Sequence, residues 1–160
     1  AKACRAAADL GVWMMNVHTL GGPAMMTAAR DALANDTQRP LLIGVTLLTS
    51  MDEQTFQHIG LTGTISETVL RLADMAEQSG LDGVVCSAQE ATTLRAQHGQ
   101  QFQLVTPGIR PAHSDTGDQH RTMTPPEAID AGSSYLVIGR PITAAQNPMQ
   151  ALEAIEISLA

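Results

Sequence analysis

The sequence predicts an α/β fold built on a parallel sheet. Five short apolar runs rich in β-branched residues alternate with helical patterns at intervals of roughly thirty residues. Three of the helices open on a Ser or Thr followed three positions later by Glu, the reciprocal cap that marks a helix start. No Gly-rich dinucleotide turn follows the first strand.

An Ala-rich helical pattern occupies residues 1–10, with Gly11 as its stop. It begins mid-pattern on Ala rather than Met, and the chain is expected to be truncated. Residues 12–18 read as the first strand, and Gly21-Gly22 with Pro23 in a first helical turn opens a helix over 23–33. The second strand is expected over 41–48, and a short helix or turn over 52–58. Thr64 and Glu67 form the first capping box, and Val69, Leu72, Ala73 and Ala76 follow at helical spacing until Gly80. The third strand, 83–86, passes directly into the second capping box, Ser87 with Glu90, whose helix runs to His98. A fourth strand over 102–105 leads into a Pro- and Gly-bearing turn and a polar loop to Met123. Thr124 and Glu127 form the third capping box, with Gly132 closing that helix. The fifth strand, 135–138, is expected to be buried, and an amphipathic helix over 148–159 ends the chain.

Two architectures suit this order. An open doubly wound sheet needs about 160 residues, whereas a (β/α)8 TIM barrel needs about 250. Length favours the former; the missing dinucleotide turn, and the polar loops after the last two strands where barrels place a phosphate site, favour the latter. The expectation is an incomplete barrel, strands four to eight with their helices, residues 1–160 being the C-terminal portion of one barrel domain. The first and fifth strands should then each present an unpaired edge.

At 44% hydrophobic and 16% charged residues, the 160-residue chain can bury one core and shows no disorder signature. Its net charge of −7, without a basic block or aromatic platform, argues against nucleic acid. The apolar run over 10–17 is far too short to span a membrane, and a cytoplasmic protein is expected. Cys4 and Cys86 lack redox or ligand spacing and read as reduced fillers. His18 reads as a packing residue, and His58, His98, His113 and His120 lack ligand spacing, so no metal is assigned. The eight Met residues read as core fillers.

Chemistry concentrates where the fifth strand ends. Gly139 permits a ligand to approach the main chain, and Arg140 supplies a planar fork suited to phosphate. The alternative is a glycine that merely ends a strand and a solvated arginine.

Several blocks, in order and at compatible spacing across essentially the whole chain, carry a family resemblance. Val17-His18 with Gly21-Gly22, Val45-Thr-Leu-Leu-Thr-Ser50, Leu81-Asp-Gly-Val-Val-Cys-Ser-Ala-Gln-Glu90, Leu104-Val-Thr-Pro-Gly-Ile-Arg-Pro111, Gly117-Asp-Gln119 and Val137-Ile-Gly-Arg-Pro141 resemble orotidine 5′-phosphate decarboxylases of the bacterial type. The resemblance implies a homodimeric lyase that converts orotidine 5′-phosphate to UMP and CO₂ with neither cofactor nor metal. It implies that Gly139 binds the 5′-phosphate through its backbone N–H, that Arg140 binds it through charge-assisted bonds, and that Arg110 helps at the same end. It implies that Gln119 reaches across the nucleotide between phosphate and base, and that the Thr49 hydroxyl reads the pyrimidine.

The family's Lys-Asp-Lys-Asp array, half of it in an Asp-x-Lys-x-x-Asp segment on strand three, has no counterpart in this sequence and is expected just upstream of Ala1. The 160 residues are therefore expected to recognise the nucleotide without decarboxylating it. Hexulose-phosphate synthases and ketogulonate-phosphate decarboxylases, which share the strand-eight phosphate site but act on sugar phosphates with Mg²⁺, are alternatives that the 106–111 block and Gln119 argue against. A non-catalytic phosphate-binding fragment is the other.

Overall fold

The computed structural model describes residues 1–112 and 121–159. Helix α1 (Lys2–Asp9) precedes strand β1 (Met14–His18), and a 3₁₀ turn over Thr19–Gly21 leads into α2 (Gly22–Leu33). Strand β2 (Leu41–Val45) is followed by α3 (Glu53–His58) and α4 (Ile65–Gln78), β3 (Gly83–Val85) by α5 (Ala88–His98), and β4 (Gln103–Thr106) by α6 (Pro125–Asp130). Strand β5 (Tyr135–Leu136), α7 (Arg140–Thr143) and α8 (Pro148–Ser158) complete the order.

All strands are parallel and their spatial order, β1-β2-β3-β4-β5, equals their chain order. A doubly wound sheet reverses strand order at a switch point; this one does not, and its units succeed one another as those of a (β/α)8 barrel do. Among the described residues β1 and β5 each pair on one side only, as expected of edge strands. The sheet curls enough to bring the rings of Trp13 and Tyr135, at the N-terminal ends of those edges, to 5.3 Å between centroids.

The local signals produce the helices for the reasons read from the sequence. The Thr64–Glu67, Ser87–Glu90 and Thr124–Glu127 capping boxes all form, satisfying backbone donors that a helix start leaves open. One core lies between sheet and helices, where Leu42, Val84 and Leu104 meet Met26, Leu33, Val69 and Leu94. Gly44 belongs to that face because a Cβ there would lie 2.7 Å from Thr19 Cγ2 and 3.2 Å from both Ala76 and Leu81. A second cluster joins Ala88, Ile109 and Ala128 to Met123, Leu136 and Ile138.

Some expectations need correction. Strand β2 ends at Val45 rather than 48, because beyond Thr46, whose N–H still reaches the Val85 carbonyl at 3.2 Å, the chain turns away from β3. Strand β5 pairs over two residues only and is not buried, since Tyr135 and Val137 lie exposed on a strand with one neighbour. The α7 helix was not anticipated. His18 is exposed rather than packed, and Met149 is 64% exposed, so not every Met fills the core. Cys4 and Cys86 are free and buried as expected, and burial together with the Glu90 charge pushes the Cys86 thiol far up.

At the N-terminal rim, Asp82 fastens three strands. Its carboxylate accepts from Arg39 Nη1 and Nη2 at 2.7 and 2.8 Å and from Leu42 N at 2.8 Å, while its backbone bonds Leu42 and Gln103. Burial pushes the Asp82 carboxyl up, but the Arg39 hydrogen bonds, the Leu42 N–H and the Arg39 charge outweigh it, so the group sits below its ordinary range. A depressed carboxyl stabilises the fold above its unfolded value and loses that contribution as pH falls through the folded one. Asp82→Asn should therefore be less stable near pH 6 by about 1–2 kcal/mol. The gap from the parent should close as pH falls below about 4. Urea midpoints of both proteins across that range check it, and a gap independent of pH would contradict it.

Candidate functional site

The C-terminal rim of the sheet surrounds a cavity of about 390 Å³. Val45, Val85 and Val137, from the face of the sheet opposite the helices, form an apolar floor, and the loops after β2, β4 and β5 form its walls. Four of the five residues singled out from the sequence line it: Thr49, Arg110, Gly139 and Arg140. Gln119 lies outside the described residues, as do His113 and His120.

Each wall is set by a different local device. After β2, Thr46 donates its hydroxyl to the Val85 carbonyl at 2.8 Å, and a turn closed by Met51 N to Leu48 O at 3.0 Å presents Thr49, which is 6% exposed. After β4, the buried Ile109 pairs in parallel with Met123, and Arg110 N donates to Met123 O at 2.9 Å. Arg110 is 8% exposed; its Nη1 donates to the Ile109 carbonyl at 2.9 Å, and its Nε has no hydrogen-bond partner among the described residues. After β5, the Gly139 carbonyl accepts from Ile142 and Thr143, which starts α7 and places Arg140 in its first turn with Pro141 behind it. Gly139 has a negative φ and a Cβ there would meet nothing within 4 Å. Neither packing nor a left-handed backbone requires glycine at this point, which opens onto the cavity.

Two guanidinium groups thus face one cavity in a chain of net charge −7, and no carboxylate is among its described lining residues. An apolar floor with cations at one side suits a ligand with a flat apolar part and an anionic end. The described lining holds no Lys, His, Cys, Asp or Glu, and a guanidinium keeps its proton throughout the neutral range. Such a lining suits the binding of an anion, and its described residues include no group suited to proton transfer at neutral pH. A larger cavity of about 440 Å³, on the helical side between Pro111, Pro125, Pro141 and Ile155, has no charged side chain among its described lining residues.

The sequence did not single out the ion pair beside the site. Arg121 Nη1 pairs with Glu90, side chains 12% and 7% exposed, and Arg121 Nη2 donates to the Leu48 carbonyl at 3.1 Å. Burial pushes the Glu90 carboxyl up against the pull of Arg121 and of the Ser87 N–H. The only sequence signal was an arginine ending a polar loop, and Glu90 was already accounted for as a cap.

Residues 1–155 match the family model described as orotidine 5′-phosphate decarboxylase / HUMPS family. The chain is 61% identical over 159 residues to an orotidine 5′-phosphate decarboxylase of Hydrogenovibrio crunogenus, covering 99% of this chain and 67% of that protein. It is 62% identical over 160 residues to one from Aliivibrio fischeri, covering 99% and 68%. Among solved structures, the orotidine 5′-phosphate decarboxylase of Lactobacillus acidophilus superposes with a TM-score of 0.83 at 40% identity, over 98% of this chain and 67% of that one. The enzyme of Pyrococcus horikoshii, at 21% identity and a TM-score of 0.67, shares the fold.

Proposed function

We infer that this chain, which belongs to the orotidine 5′-phosphate decarboxylase / HUMPS family, acts in the decarboxylation of orotidine 5′-phosphate to UMP in pyrimidine biosynthesis and carries the phosphate- and base-recognition part of the site. The observation that carries the site assignment is the convergence of Arg110 and Arg140 on one cavity without a lining carboxylate among the described residues. Relatives that share about 60% of its residues and are orotidine 5′-phosphate decarboxylases favour this activity over that of the sugar-phosphate branch. Preferential binding of UMP over a pentulose phosphate is the corresponding result at the bench.

In this reading the 5′-phosphate lies between Arg140, the Gly139 backbone and Arg110, where a doubly charged anion exchanges water for charge-assisted hydrogen bonds. The pyrimidine lies over the valine floor, with the Thr49 hydroxyl at its polar edge, and Gln119 reaches between the two ends. Loss of CO₂ leaves an electron pair on the pyrimidine carbon, which must be stabilised and then protonated. An ammonium suits that task, and the only lysine of the chain, Lys2, is exposed on α1, which packs on α2. The reacting group therefore belongs to the Asp-x-Lys-x-x-Asp segment that the family resemblance implies and this sequence lacks. The reading places these residues in the C-terminal portion of one barrel domain and takes the enzyme to be a cytoplasmic homodimer. Among the described residues no helix is long and apolar enough to cross a membrane.

Two outcomes are expected. In a full-length version, Arg140→Ala weakens UMP binding by about 2–4 kcal/mol, the loss of a charged partner to an anion. The ratio kcat/KM falls with it, because binding energy remote from the reacting carbon is used in the transition state. Equal UMP affinity of mutant and parent by calorimetry would reject the phosphate role. A polypeptide of these 160 residues alone gives no decarboxylation above the solution rate, and activity appears on mixing with a separately expressed piece bearing the Asp-x-Lys-x-x-Asp segment. Turnover by the 160 residues alone would refute this division of labour.

A further inference from the structure

Arg121 is absent from the described lining of the nucleotide cavity, yet it is tied to two of its three walls. Its side chain reaches one wall: Nη2 donates to the carbonyl of Leu48, the residue before Thr49. Its backbone leads to the other: two residues on, Met123 accepts from Arg110 N at 2.9 Å, and Met123 N donates to Gly108 O at 3.4 Å. The other end of the guanidinium is anchored on Glu90, which is itself immobilised because its Oε2 accepts the Ser87 N–H at 2.8 Å in the α5 capping box. Gln89 adds a bond from Nε2 to the Thr122 carbonyl at 3.4 Å. Leu47 and Thr49 are buried, whereas Leu48 between them is 51% exposed, so the Leu48 carbonyl is held by the Met51 N–H and by Arg121 rather than through packing of its own side chain.

We propose that Arg121 is a positioning residue of the nucleotide site: braced on Glu90, it holds the Leu48 carbonyl, and so fixes the Thr49 wall relative to the Arg110 wall. A guanidinium suits this role because its fork can serve a carboxylate and a carbonyl at once from fixed directions, which a lysine ammonium on a flexible stem does less well. Releasing the turn does not remove a contact to the ligand. It adds conformational freedom that binding must then suppress, so the effect falls on affinity. The proposal rests on the nucleotide reading of the cavity.

The test uses the full-length enzyme, with UMP as the binding probe and orotidine 5′-phosphate as substrate. Arg121→Gln should weaken UMP binding and raise KM by roughly tenfold, with kcat within about twofold of the parent, and Arg121→Lys, which keeps the charge beside Glu90, should recover part of the loss. Because Arg121 acts through Thr49, the effect of Arg121→Gln should shrink to about twofold in a Thr49→Ala background. A folded Arg121→Gln protein that binds UMP as the parent does, even with a lowered thermal midpoint, overturns the proposal, as does full additivity with Thr49→Ala. Should Arg121→Gln not fold, Arg121→Lys decides alone: an affinity loss of about threefold that vanishes in the Thr49→Ala background supports the proposal, and parental affinity overturns it. Arg140→Ala in the same titration separates the two levels. If it weakens UMP and Arg121→Gln does not, only the positioning role fails; if the parent itself binds no UMP, the nucleotide reading fails and the positioning role with it.

Discussion

Parallel register is the constraint on which the rest of this structure depends. His18, Val45, Val85, Val105 and Tyr135 lie side by side across the five strands, so every strand delivers its C-terminal end to one rim and every loop that follows begins there. Three hydroxyls close the rim. Thr19, one residue past β1, donates to the last carbonyl of β2; Thr46, one past β2, donates to the last carbonyl of β3; Thr106, ending β4, is hydrogen-bonded to the Ser133 hydroxyl and lies 3.3 Å from the first carbonyl of β5. Where pairing ends, these side chains add a donor to a neighbouring strand's carbonyl, and Val85 O accepts both the N–H and the hydroxyl of Thr46. Beneath β4 and β5, Arg95 donates to the carbonyls of Gly99, Phe102 and Gly132 and to the Ser134 hydroxyl, which in turn accepts from Leu104 N. A loop after any one strand is thereby fixed relative to the loops after the others.

Charge is distributed against the global balance. A net charge of −7 repels an anion at long range, and at physiological salt that repulsion is screened within about 8 Å. At the rim the local field decides, and it comes from Arg110 and Arg140 with no carboxylate among the described lining residues. Beside the walls, Glu90 is committed twice over, to the α5 N-terminus and to Arg121. A carboxylate so committed does not compete for the arginines of the cavity, and the ion pair, largely desolvated, is tied to geometry instead of to the solvent.

Local determinants were legible in the sequence and partner-dependent ones were not. The capping boxes form because both halves lie within four residues, and their helices begin where Thr64, Ser87 and Thr124 place them. Strand ends depend on a neighbour: β2 stops at Val45 although its apolar run continues to Leu48, and β5 shortens to Tyr135–Leu136 because it pairs on one side. Helix α7 was concealed by a run that reads as a strand end, although Pro141 at a first turn was a visible signal. Gly139 and Arg140 stood out from the strand-end pattern itself, whereas Thr49 and Arg110 were singled out only through the family resemblance; all four lie in loops after strands, where a barrel places its site. Arg121 and Glu90 were not, since their contact spans 31 positions and each has a sufficient local explanation.

The contacts that shape the cavity are confined to one part of the sheet. The described lining comes from β2, β3 and the loops after β2, β4 and β5, and the bonds that hold those loops, from Thr46, Thr106, Arg95 and Arg121, all begin and end between β2 and β5. The β1 edge enters only through Thr19, and the residues exposed there, Asn16 and His18, are neighbours of β2 rather than parts of the walls. An anion bound between Arg110 and Arg140 would be fixed by contacts internal to four adjacent units. Chemistry performed by residues beyond them would inherit a substrate already held in place, and the binding energy released at the phosphate end would be available to the transition state at the other.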